Sequence, residues 1–239
     1  MIKVVTAEER HTSIKGAIHS EFSFSFSDYD DPSNAHFGCL LALNDNVVQP
    51  GQGLASHPHH DLEIVTYVVS GTLRHKDDLG NTQDLTAGSV QVMSAGAGIR
   101  HSESNPSPTE PVRFIQMWFL PAERNLQPAW ASRRFPRQER EGLLKPVAAE
   151  QARGDCLRIN QDVQLFIPIL PTGEELTIPS RGERRTHVFM LSGHIGLYCG
   201  RQKFSLRPGD AARVRNAEGL TIRSIGSEEA AEFILIDLP

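Results

Sequence analysis

Two stretches of this 239-residue chain, 66–93 and 188–214, follow one plan. "TYVVSGTLRHKDDLGNTQDLTAGSVQVM" and "VFMLSGHIGLYCGRQKFSLRPGDAARV" each run from an apolar segment through Ser-Gly into a second segment. A turn, a third segment and a Gly ahead of a fourth segment follow in both. Self-similarity of this kind marks a duplicated supersecondary unit. The unit is β in character. "EIVTYVV", "SVQVM", "VRFIQMWFL", "CLRI" and "EFILIDL" are rich in β-branched and aromatic residues and are bounded by turn residues. "EFSFSFSDYDDP" sets Phe22, Phe24 and Phe26 on one face and Ser23, Ser25 and Ser27 on the other, the period of a strand with one dry face.

Helical periodicity is scarce, and the best candidate is a short helix around "PVAAEQARG" ending at Gly154. The chain length suits one large domain or two of ~120 residues. The expectation is an all-β protein of two similar antiparallel β-barrels: an N-terminal barrel over 1–131, a charged, Pro-containing linker over 132–155 and a C-terminal barrel over 156–239.

A net charge of -5 without a long single-sign run gives no electrostatic footprint for nucleic acid or an anionic membrane. Cys39, Cys156 and Cys199 are scattered and form no CxxC, which fits a reducing compartment better than a disulfide framework. The opening "MIKVVTAEER" lacks the apolar core of a signal peptide, and no apolar run approaches the ~20 residues of a membrane span. A cytoplasmic location is expected.

The chemistry concentrates at "SHPHHDLE", where His57, His59, His60, Asp61 and Glu63 crowd the entry to an apolar strand. Side chains at i and i+2 of a strand share a face, so His57 and His59 point together. Asp61 and Glu63 share that parity if the strand runs on. Pro58 between the histidines favours an edge strand. In "GAGIRHSESNP", His101 and Glu103 form a second i, i+2 pair behind a Gly-rich turn. Two such pairs on adjacent strands could aim three imidazoles and a carboxylate at one point, a donor set for Fe, Mn, Cu or Zn rather than Ca or Mg. His60 has the wrong parity and is expected at the surface or behind the ligands. His75, His187 and His194 have no partner at ligand spacing and read as ordinary strand histidines. His11, His19 and His36 carry no supporting pattern.

"GQGLASHPHHDLEIVTYVVSG" and "GSVQVMSAGAGIRHSESNP", with "FSFSDYDDP", "LNDNVVQPGQG" and "RRF", resemble the two motifs of the pirin-type cupins along essentially the whole chain. The resemblance implies a bicupin with metal in the N-terminal barrel, held by His57, His59, His101 and Glu103. The ion would be one divalent metal, Fe(II) first, with Mn, Cu, Ni or Zn as possibilities. In most cupins the carboxylate ligand falls at Glu63; the pirin type takes it from Glu103, which leaves Glu63 as an outer partner. "ERR" at 183–185 stands where the second copy would need ligands.

The implied activity is that of a quercetin 2,3-dioxygenase, opening a flavonol ring with O2 and releasing carbon monoxide, with Glu103 as the catalytic base. The alternative is a pirin-like iron-binding regulatory module that works through a protein partner. A monomer is the family-like state. Phe24, Phe26, Met93 and Trp118 are candidates for a flat apolar pocket. A Lys- or Arg-lined cavity would point instead to a phosphosugar isomerase.

Overall fold

The computed structural model describes residues 1–179, 182–217, 219–226 and 229–239. They form two compact β units. One comprises Arg10–Phe135 with Glu150–Gln161, and the other Met1–Glu9, Pro136–Ala149 and Asp162–Pro239. The units interleave in sequence because Ile2–Val5 pairs antiparallel with Ala211–Arg215, which draws the N-terminus into the second unit.

In the first unit, one sheet runs Ala129–Arg134, Ser89–Ser94, Glu63–Ser70, Val112–Phe119, Leu40–Val48, Ile18–Phe22, His11–Lys15. A second sheet runs Gly53–His59, Ile99–Ser104, Thr72–Asp77, Thr82–Thr86. Every pairing is antiparallel. Val48, Val68, Leu73, Leu85, Val112 and Phe114 make one apolar cluster, and Ile64, Met93, Ala95 and Ile99 another.

The second unit repeats the layout. Arg185–Ser192, Ile195–Cys199, Gln202–Leu206 and Ala211–Arg215 stand where Glu63–Ser70, Thr72–Asp77, Thr82–Thr86 and Ser89–Ser94 stand in the first. Its core includes Val188, Met190, Leu197, Ile222, Phe233 and Leu235. The internal echo is visible in backbone geometry: Gly71 and Gly193 have φ of 76° and 73°, and Gly88 and Gly209 have 84° and 87°. These left-handed turns favour glycine. At the first pair a side chain is also excluded by space, since a Cβ would lie 2.5 Å from the Pro111 carbonyl at Gly71 and 2.7 Å from Ala231 Cα at Gly193.

Two local expectations are corrected. "PVAAEQARG" is not helical: Pro146–Ala149 is a strand paired with Gln164–Phe166, and Val147, Ala148 and Ala149 are buried. Good helix propensity is overridden by a tertiary partner. The Phe-Ser alternation carries a strand only as far as Phe22; beyond it the chain bends, with Ser27 at φ 55°.

Candidate metal centre

His57 and His59 lie on Gly53–His59, an edge strand that hydrogen-bonds only to Ile99–Ser104 among the described residues. Pro58, on that edge, leaves no ladder donor missing. His101 sits directly opposite His57, and a bulge between His101 and Glu103 brings Glu103 opposite Leu54. The three imidazole centroids are 4.6 to 5.0 Å apart. One nitrogen from each of His57, His59 and His101 lies within 4.8 Å of the others, and His101 forms a second such group with His75 and Glu103.

The donor chemistry fits a metal ion. His57 Nδ1 lies 2.8 Å from the Ala55 carbonyl. A carbonyl accepts only, so Nδ1 is the donor and Nε2 is the nitrogen that would face a metal, the usual device for orienting a ligand. Buried His101 has no hydrogen-bond partner at either nitrogen among the described residues. Burial, reinforced by the neighbouring imidazoles His101 and His57, pushes His59 down to about 4. Burial, with His57 and His75 adding to it, pushes His101 down to about 3. Both rings are therefore neutral donors at neutral pH.

Glu103 is fully buried and clamped from both sides. Gln91 Nε2 donates to Oε1 at 2.9 Å and Gln116 Nε2 donates to Oε2 at 2.7 Å. Each amide is itself oriented by an indole: Trp130 Nε1 donates to Gln91 Oε1 at 2.9 Å and Trp118 Nε1 to Gln116 Oε1 at 3.0 Å. An indole N–H only donates, so the amide oxygens must face the tryptophans and the NH2 groups must face Glu103. Burial raises the Glu103 carboxyl and the Gln116 hydrogen bond opposes that rise.

The sequence placed the other titratable residues unevenly. His60 is exposed, as its parity requires. Asp61 has a left-handed φ of 48°, which ends the extended run, so parity does not carry to Glu63. Glu63 is buried elsewhere, accepting from Ser94 Oγ at 2.8 Å and from Asn160 N at 3.1 Å. His75 is the correction: it is no isolated strand histidine. It lies opposite Glu103 on the next strand, hydrogen-bonds Asp77 Oδ2 at 3.0 Å, stacks on Trp130 at 4.9 Å and reaches His101 at 5.4 Å between centroids. His187 is buried in the second unit and His194 contacts Ser205 Oγ. His11 stacks on Tyr29, His19 contacts Glu21 and His36 contacts the Gly38 carbonyl. Arg184, within the "ERR" triplet, pairs with Asp162 and Asp237.

His57 and His59 open into a cavity of about 250 Å³. Its apolar side includes Phe22, Phe26, Phe114 and Trp118, and its polar side Ser13, Ser20, Asn44 and Asn46. Lys15 at its rim is paired to Asp28 at 3.1 Å. Of the apolar candidates, Phe26 and Trp118 line the cavity, whereas Phe24 and Met93 are buried core. The lining is that of an aromatic-ring site, not a cationic phosphosugar site.

A family model described as Pirin matches residues 4–119, and one described as Quercetinase C-terminal cupin domain matches residues 146–238. The chain is 35% identical over 244 residues to a quercetin 2,3-dioxygenase of Escherichia coli strain K12, covering 100% of this chain and 99% of the relative. It is 35% identical over 223 residues to a pirin-like protein of Caulobacter vibrioides, covering 93% of each. A solved bacterial pirin from Escherichia coli, YhhW in complex with nickel(II), superposes with a TM-score of 0.92 at 34% identity, over 100% of this chain and 99% of that one. The two β units are a bicupin fold.

Proposed function

This chain belongs to the pirin family, and we propose that it is a metal-dependent dioxygenase that opens the ring of a quercetin-like flavonol with O2. The observation that carries the reading is the convergence of three imidazoles, two of which open into an aromatic-walled cavity. His57, His59, His101 and Glu103 would hold one divalent ion. The donor set suits Fe(II), Mn, Cu, Ni or Zn alike; Fe(II) is put first on the resemblance to the pirin-type proteins. When bound, the ion supplies Lewis-acid activation of the flavonol oxygens and electron exchange with O2.

The chain's own residues do the rest. Glu103 takes the flavonol hydroxyl proton on a carboxylate oxygen. Gln91 and Gln116 restrict where that oxygen can swing. Phe22, Phe26 and Trp118 flank the ring and keep water off it. O2 adds and carbon monoxide leaves, so the atoms balance. The same reading has the protein act as a monomer in the cytoplasm, on a small aromatic substrate and without a nucleic-acid or membrane partner. The test is O2-dependent loss of the quercetin absorbance band with Fe(II)-reconstituted protein, beside metal-free protein and His101→Ala. Turnover that requires O2, metal and His101 supports the proposal; full metal occupancy without turnover refutes it.

A further inference from the structure

The polar side of the cavity is more than a solvated edge. Strand register sets Gln91 opposite Thr66, Thr66 opposite Gln116, Gln116 opposite Asn44 and Asn44 opposite Phe22. A single polar row therefore crosses the sheet from behind Glu103 to the cavity wall. Within it Gln91 and Gln116 both donate to Glu103 and to Thr66 Oγ1. Beside the row, Ser20 Oγ donates to Asn46 Oδ1 at 2.7 Å, and Asn46 Nδ2 donates to the Asn44 carbonyl at 3.3 Å. Asn44 differs from these neighbours: it is 2% exposed, lines the cavity, and its Oδ1 has no hydrogen-bond partner among the described residues. A buried amide left unmatched disfavours the folded state unless something meets it.

We propose that Asn44 is a specificity-determining residue of the cavity, whose side-chain amide hydrogen-bonds a hydroxyl carried by the planar aromatic ligand. A hydroxyl both donates and accepts, so it pairs with whichever end of the amide, Oδ1 or Nδ2, is turned to the cavity. Phe22, Phe26 and Trp118 supply faces for the ring, and Asn44 reads whether that ring is hydroxylated. The class of ligand is thus a hydroxylated flat aromatic, and its unhydroxylated analogue is rejected because Asn44 would stay unpaired. The inference rests on the cavity being the ligand site of the activity proposed above, and adds the residue that selects the ligand.

The test is anaerobic binding to metal-loaded protein, followed by quenching of tryptophan fluorescence. Two probe sets are used: flavonols differing only in ring hydroxyls, and 2-naphthol against naphthalene. In the unaltered protein the better-hydroxylated member binds at least about tenfold tighter. Asn44→Leu collapses that ratio towards one through weaker binding of the hydroxylated member, with metal content unchanged. Asn44→Ala gives the same collapse if the leucine does not pack.

A ratio that survives in both variants, or that is absent from the unaltered protein, overturns the proposal and assigns the amide to bound water. The two readings fail separately. Naphthol discrimination that depends on Asn44, with no flavonol binding, sinks the flavonol reading and keeps this one. Flavonol turnover with unaltered hydroxyl discrimination in Asn44→Leu does the reverse.

Discussion

Replacing Gln91 with Leu isolates the support given to Glu103. Gln91 is 1% exposed and lies outside the residues that line the cavity, so the change reaches the carboxylate without reshaping the ligand site. Leu fills a similar volume and removes three hydrogen bonds: 2.9 Å to Glu103 Oε1, 3.2 Å to Thr66 Oγ1 and 2.9 Å from Trp130 Nε1. The bond to a charged carboxylate contributes about 1.5–3 kcal/mol, and the unmatched indole of partly buried Trp130 adds less. A loss of about 2–4 kcal/mol in the metal-free protein follows near neutral pH.

The pH dependence has a definite sign. Burial already raises the Glu103 carboxyl, and losing a donor to the charged form raises it further. A raised folded-state carboxyl contributes stability below the ordinary carboxylate range and loses it as pH rises through the raised value. The defect should therefore be larger at about pH 7.5 than at about pH 5 in urea unfolding. Loss of an outer partner also weakens metal binding by roughly 10–100-fold, or about 1.4–2.7 kcal/mol, in chelator competition. Equal destabilisation at both pH values with unaltered metal affinity would refute the claim that Gln91 supports a charged Glu103.

His101→Ala should abolish stoichiometric metal binding, whereas His75→Ala should keep the metal and lose about 2–5 kcal/mol of stability from the emptied space against Trp130, as metal analysis and unfolding would show. His59 and His101, pushed down to about 4 and about 3, should stay neutral in the metal-free protein as pH falls through 6.5; an NMR titration showing either ring protonating near 6.5 would contradict this. Arg140 donates to the Ile167 carbonyl at 3.0 Å and to Glu232 Oε1 at 2.7 Å in the second unit, so Glu232→Ala should cost about 1.5–3 kcal/mol, read by urea unfolding, through the lost charge-assisted hydrogen bond. Gly96 has a φ of 44°, and a Cβ there would collide with the Leu126 carbonyl oxygen; Gly96→Ala should lower the thermal midpoint far more than Gly80→Ala, where a Cβ meets open space.

Much of this molecule is legible from short-range rules. Runs of β-branched and aromatic residues bounded by turn residues give the strands, and Ser-Gly at 70–71 and 192–193 gives the repeated turn because both need a left-handed backbone. His57 with His59, and His101 with Glu103, are legible because i and i+2 share a face. What short-range rules do not contain is which strand neighbours which. His75 looks solitary in "TLRHKD" because its partner Glu103 is supplied by strand pairing. Glu63 looks like a ligand by parity, yet one left-handed residue, Asp61, redirects it to Ser94 and Asn160. The helix expected at "PVAAEQARG" fails for the same reason, since Gln164–Phe166 offers Pro146–Ala149 a ladder that local propensity cannot anticipate.

One signal for the missed residues is nevertheless present in the sequence. "SVQVM", "EIVTYVV", "RFIQMWF" and "LLALNDNVV" are apolar strands that each carry an uncharged polar side chain at Gln91, Thr66, Gln116 and Asn44. Such a residue is disfavoured in a dry interior unless something inside satisfies it. Four of them, brought by register into one row, require an internal partner, and buried Glu103 is that partner for Gln91 and Gln116. The row runs past Glu103's requirements by one residue, and Asn44 is left facing the cavity. A polar residue embedded in each of several apolar strands is thus a sequence-level pointer to a buried charge and to the ligand beside it, sharper here than the count of histidines.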